Sequence, residues 1–86
     1  MTLEALRRQI DRVDAQLLRM LNQRARLALQ VGSLKKRQGR RLFDPQREHT
    51  ILRQVTRANR GPLSAQAVRA LYREILRQIR HLEQSV

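Results

Sequence analysis

Apolar residues recur at steps of three and four along the first third of the chain: Leu3, Leu6, Ile10, Val13, Leu17 and Leu21, then Ala28, Val31 and Leu34. That period marks the buried stripe of an amphipathic helix. Two shorter stripes follow, Ile51–Val55–Ala58 and Val68–Leu71–Ile75–Ile79–Leu82, and no alternating strand pattern competes. Breaks fall at Gly39 with Asp44-Pro45, and at Asn59 to Ser64 with Gly61-Pro62. Asp44 is placed to cap a helix whose first turn accepts Pro45, since the missing N–H has no partner there anyway. Ser64 caps the next, with Leu63 and Val68 spaced as a hydrophobic staple. The pattern predicts one all-α domain, residues 1–86, with helices over 3–38, 45–58 and 65–84.

Charges interrupt these stripes. Arg24 falls in the gap between Leu21 and Ala28, and Lys35 closes the run. A cation on a buried face loses hydration unless an anion meets it. Eleven residues apart, the two side chains point the same way roughly 16 Å apart along the axis. Each reaches inward by several ångströms along its methylene stem, which leaves room for a small anionic molecule. Glu48 stands three before Ile51 on the buried face of the second helix, in a first turn that suits negative charge. Arg47 flanks the same face, and Glu83 follows Ile79 by four at the edge of the third stripe. Gly32 lies inside the first helix at a cost of about 1 kcal/mol against alanine; it marks either a close helix approach or nothing.

A first helix of this length spans about 54 Å, whereas a compact domain of this size has a radius of gyration of about 12 Å. One chain cannot cover such a helix. The expectation is an intertwined two-fold homodimer with the long helices antiparallel. Arg7 is about 25 Å from Arg24 along one helix, too far to share a small ligand within a chain. With a crossing near Leu18, Arg7 of a second copy arrives beside residue 29, between Arg24 and Lys35.

The formal net charge is +12, and Lys35 and Lys36 are the only lysines among the cations. Such a surplus raises nucleic acid as a partner, but the arginines are spread along the whole length, so none is expected. Cysteine is absent, which excludes disulfides and thiolate metal sites. His49 and His81 sit among polar neighbours, and no metal is expected. No apolar run approaches the ~20 residues of a membrane span, and nothing resembles a signal peptide. A cytoplasmic protein is expected.

The stretches LRRQIDRVDAQLLRMLNQR, VGSLKK and FDPQRE resemble the all-helical class of chorismate mutases over essentially the whole chain. The family pattern appears as Arg7, Asp11 with Asp14, Arg24, Gly32, Lys35, Asp44, and Arg47 with Glu48. The resemblance implies rearrangement of chorismate to prephenate in the shikimate pathway, on the way to phenylalanine and tyrosine, by a helical dimer whose two sites each use both chains. It implies no cofactor. By the same resemblance, Arg24 and Arg7 of a second copy hold the substrate carboxylates, and Lys35 donates to the ether oxygen. Glu48 accepts from the ring hydroxyl, helped by the backbone at Asp44, and Arg47 shapes the carboxylate end or orients Glu48.

Two positions depart from the best-known pattern. Glu83 stands where glutamine is frequent and must be protonated to donate to the ether oxygen. Ile79 stands where a small or polar residue is frequent and is expected to form pocket wall. Two other functions fit the same motifs: an isochorismate pyruvate lyase, and a chorismate-binding regulatory partner of another shikimate-pathway enzyme.

Overall fold

A computed structural model describes the whole chain, Met1 to Val86. It contains three helices and no strand: α1 (Leu3–Arg37), α2 (Pro45–Ala58) and α3 (Ala65–Gln84). The helix ends are set by local chemistry. Thr2 opens α1 by accepting from the Ala5 N–H at 3.0 Å. Asp44 opens α2 by accepting from the Arg47 N–H at 3.0 Å, with Pro45 in the first turn. Ser64 opens α3 by accepting from the Ala67 N–H at 3.0 Å. The first helix ends in three cations, Lys35, Lys36 and Arg37, which suit the negative end of its dipole. Just beyond, Gly39 takes φ +68°, a left-handed conformation that reverses the chain towards α2.

α3 packs against both α1 and α2, whereas α1 and α2 do not approach each other. The result is a wedge, open between α1 and α2 and floored by α3. Its core is small: Ile51 from α2, with Val68, Leu76 and Ile79 from α3.

The stripe of α3 differs from its expected register. Leu71 and Leu82 are exposed, and Leu76 is buried instead. Ala58, expected inside, is also exposed. The buried face of α3 is turned by about half a residue step, 50°, towards Leu76 and Glu83. It has to meet two helices lying on different sides of it, so the face bisects them rather than following the densest apolar row.

The chain is elongated, 55 × 25 × 16 Å, with a radius of gyration of 15.9 Å. That is well above the ~12 Å of a compact chain this long. The excess length is the N-terminal half of α1, where no other element packs. Its apolar stripe is uncovered: Leu6 is 42%, Ile10 57% and Leu17 53% exposed. Full burial of such a side chain contributes about 1.5–3 kcal/mol, so roughly half of that is still unrealised at each position.

Candidate active site

The wedge encloses a cleft of about 330 Å³, within the size range of small-ligand sites. Arg24 and Lys35 enter it from α1, Asp44, Arg47 and Glu48 from the start of α2, and Ile79 and Glu83 from α3. Leu27, Val31, Ile51 and Leu76 supply apolar wall. Every site residue expected from the sequence lines this one cavity except Arg7. Arg7 is exposed on the free arm of α1, about 25 Å from Arg24.

The cations in the cleft are in two different states. Lys35 is engaged: its Nζ donates to the Leu42 carbonyl at 3.2 Å and lies 3.9 Å from Asp44 Oδ2, with its side chain only 14% exposed. It therefore ties the connection between α1 and α2 to the last turns of α1. Arg24 and Arg47 have no carboxylate within ion-pair distance. Two guanidiniums bordering one cavity without partners make a site for carboxylates, which the planar fork binds through two parallel hydrogen bonds.

Glu48 is held by a residue that the apolar pattern does not single out. Arg80 Nη1 donates to both its carboxylate oxygens, at 2.6 and 2.7 Å. The same guanidinium lies 4.7 Å from the centroid of the Phe43 ring, a favourable cation–π distance. Arg80 thus joins α3, α2 and the connection before α2 at one edge of the cleft. Orientation of Glu48 belongs to Arg80, not to its neighbour Arg47. A signal is present in the sequence, since Arg80 follows Leu76 by four, but it becomes visible only once the buried face of α3 is centred on Leu76.

Glu83 stands one turn beyond Arg80 on α3. Its carboxyl is raised above the usual carboxylate range, first by burial; Lys35 opposes that shift, Glu48 adds to it, and Arg24 opposes it. A partly buried carboxyl in the field of another carboxylate favours its neutral form. The neutral form is also the one that donates a hydrogen bond.

Gly32 explains how Glu83 gets there. It is the buried residue of α1, and a Cβ at this position would come 3.1 Å from Glu83 Oε2 and 3.6 Å from Leu42 Cδ2. The close approach of α1 and α3 is the reason for a glycine in mid-helix. Gly32→Ala is therefore expected to separate stability from activity. The helix gains up to about 1 kcal/mol, while the Glu83 carboxyl is displaced by a few tenths of an ångström and turnover falls on the order of tenfold. Melting curves and initial rates on the same preparation check this; equal rates would show that the Glu83 position is not critical.

Comparison with known proteins gives the family of a chain that builds this cleft. Residues 6–84 match the family profile described as chorismate mutase type II. The chain belongs to that family. The chorismate mutase of Thermus thermophilus, in its form II structure, superposes with a TM-score of 0.94 at 36% identity, covering 95% of this chain and 93% of that one. The bifunctional chorismate mutase/prephenate dehydratase of Aquifex aeolicus is 35% identical over 88 residues, 98% of this chain and 24% of the relative. The Neisseria gonorrhoeae protein of the same description is 40% identical over 70 residues, 81% of this chain and 19% of the relative. The chain thus spans about a quarter or less of the length of these bifunctional relatives. It has the chorismate mutase type II fold, and no helix of it is long and apolar enough to cross a membrane.

Proposed function

We propose that this protein catalyses the intramolecular rearrangement of chorismate to prephenate in the cleft between α1 and α2. The observation that carries the reading is the cleft's charge arrangement on apolar walls. Arg24, Lys35, Arg47 and Arg80 face Asp44, Glu48 and Glu83, so cations outnumber carboxylates in the cleft, as a site for an anionic substrate requires.

In the reaction the ether C–O bond breaks as a new C–C bond forms within the same molecule, through a chair-like arrangement. No external nucleophile or proton transfer is required. The chain's contribution is to hold that shape and to meet the negative charge that grows on the ether oxygen. Arg24 grips one carboxylate. The other is taken by Arg7 of a second copy, whose α1 lies antiparallel along the exposed stripe of this one. On substrate entry the Lys35 ammonium turns from the Leu42 carbonyl to the ether oxygen, and protonated Glu83 donates to the same oxygen from the α3 side. Glu48, fixed by Arg80, accepts from the ring hydroxyl beside the Asp44 backbone. Arg47 borders the carboxylate end, and Ile79 is wall. The working unit in this reading is a homodimer with two such sites. We assign it to the cytoplasm, in keeping with a role in aromatic amino acid biosynthesis, and an enzyme that consumes prephenate is its natural partner.

The test is turnover of chorismate by the purified protein, with prephenate identified by its acid conversion to phenylpyruvate. Formation of prephenate from chorismate, and no pyruvate from isochorismate, is expected. Pyruvate release from isochorismate alone would make the protein a lyase on this scaffold, and chorismate binding without turnover would make it a regulatory partner.

The raised Glu83 carboxyl gives the reading a pH signature. A group whose folded pKa is raised stays protonated beyond the usual carboxylate range, so activity holds at low pH and falls as pH rises through that value. The same shift makes folding stability fall over the same interval, because the folded state binds the proton more tightly than the unfolded chain. Glu83→Gln, a donor at every pH, is expected to flatten the kcat profile on its alkaline side. A profile identical to wild type would remove Glu83 from the mechanism.

A further inference from the structure

A second concave site lies on the flank of α2 turned away from α1. It has a volume of about 480 Å³, and no residue of α1 lines it. Arg53 and Arg57 border it from α2, and Arg69 and Arg73 from α3, with His49 at one end.

Each arginine pair is spaced by four residues, one turn of helix. Like charges at that spacing destabilise a helix, and here two such rows also face each other across a groove. The C-terminal end of the α2 dipole offsets Arg57 in part, but no carboxylate offsets either row. None of the four guanidiniums is in an ion pair. All seven carboxylates of the chain are placed elsewhere. Asp44, Glu48 and Glu83 line the cleft. Glu74 is held by Arg77 and Gln78, which brings its pKa down to about 2. Glu4, Asp11 and Asp14 lie on the N-terminal arm of α1. The four exposed guanidiniums are left with water as their only partner, and the concave arrangement leaves them free to converge on an anion from outside.

We propose that this groove binds a compact, multiply charged phosphate anion, a di- or triphosphate group, at a site separate from the cleft. A tetrahedral phosphate presents oxygens in all directions and is met by guanidiniums from both walls at once. A carboxylate is planar and is satisfied by one guanidinium fork in its own plane. The α2 row from His49 to Arg57 runs about 12 Å, which is longer than one phosphate and matches a short chain of them. Only one apolar residue, Leu52, lines the groove, so recognition is by charge and not by a ring. A single-stranded nucleic acid is disfavoured for a related reason: Phe43 and Tyr72 are not in the groove, and a single ring at one end, His49, gives successive bases no platform to stack on.

The experiment is calorimetric binding of inorganic tripolyphosphate to the full chain near physiological ionic strength, with a nucleoside triphosphate and citrate as further probes. Tripolyphosphate is expected to bind wild type and the cleft variant Lys35→Gln alike. In Arg53→Gln/Arg73→Gln its affinity is expected to fall by about a hundredfold, the loss of two charge-assisted donors at about tenfold each. That double variant removes like-charge repulsion, so it should melt no lower than wild type and turn over chorismate at the wild-type rate. A nucleoside triphosphate that binds like tripolyphosphate supports a site for the phosphate chain alone; tighter binding supports a nucleotide source, and either loses its affinity in the double variant. Equal affinity in the double variant, loss in Lys35→Gln instead, or citrate binding as tightly would each overturn the proposal. A single-stranded oligonucleotide binding more tightly than tripolyphosphate in the same groove would replace it with a nucleic-acid surface.

Discussion

Chains carrying Arg7→Ala and chains carrying Lys35→Ala, each nearly inactive alone, are expected to regain about a quarter of wild-type turnover when unfolded together and refolded as a mixture. The figure follows from the symmetry of a two-fold dimer. In a mixed dimer one site combines the intact Lys35 of the first chain with the intact Arg7 of the second, and the other site collects both substitutions. Random pairing makes half of the dimers mixed, and half of their sites are whole. The physical basis is the length of α1. Arg7 lies about 25 Å from Arg24 on the same rigid helix, so no motion of one chain brings it to the cleft, and in the proposed dimer a second copy supplies it. The exposed Leu6, Ile10 and Leu17 that precede Arg24 are what that copy would cover. Recovery near zero, with both variants shown to be dimers, would mean that Arg7 has no part in the neighbouring site. Full activity in Arg7→Ala alone would say the same more directly.

The fold is legible in the sequence because its helices are written twice, once in apolar period and once in capping chemistry. Asp44-Pro45 and Ser64 fix the starts of α2 and α3 at the residues observed, and the apolar period carries α1 to Lys35. What period alone does not resolve is the azimuth of α3. A stripe that serves two neighbours is broader than one that serves a single neighbour, and the row through Leu71 and Leu82 is the denser in leucine. That half-step difference also hides Arg80, since the observed face passes between Ile79 and Arg80. Residues such as Arg24 and Lys35 are conspicuous because a cation on an apolar row contradicts its surroundings. Arg80 contradicts nothing locally; its role exists only through Glu48 and Phe43, 32 and 37 positions earlier in the chain. Gly32 is visible as an oddity, but its reason, the Glu83 carboxyl lying against it, is a tertiary fact.

Lys35→Ala is expected to lower kcat by about 10²–10³-fold, the usual effect of removing one preorganised donor to a developing oxyanion, about 2.7–4 kcal/mol of transition-state stabilisation. The ether oxygen carries little charge in bound chorismate and much more as its bond breaks. A donor aimed at that oxygen therefore acts mainly in the transition state, so kcat and kcat/KM should fall together with KM little changed. The free protein supplies a check on the alternative, a purely structural lysine. There Lys35 holds the Leu42 carbonyl and faces Asp44, so its loss also loosens the connection into α2. If that were its whole contribution, KM would rise as Arg47 and Glu48 shifted, and kcat at saturation would be largely preserved. Lys35→Arg discriminates further. The guanidinium keeps the charge and reaches the Leu42 carbonyl, but its planar fork is wider than an ammonium and is poorly matched to a single oxygen in a closed cleft. A variant that restores stability and KM without restoring kcat would place the Lys35 ammonium at the reacting bond. Recovery of kcat by arginine would reduce its role to charge alone.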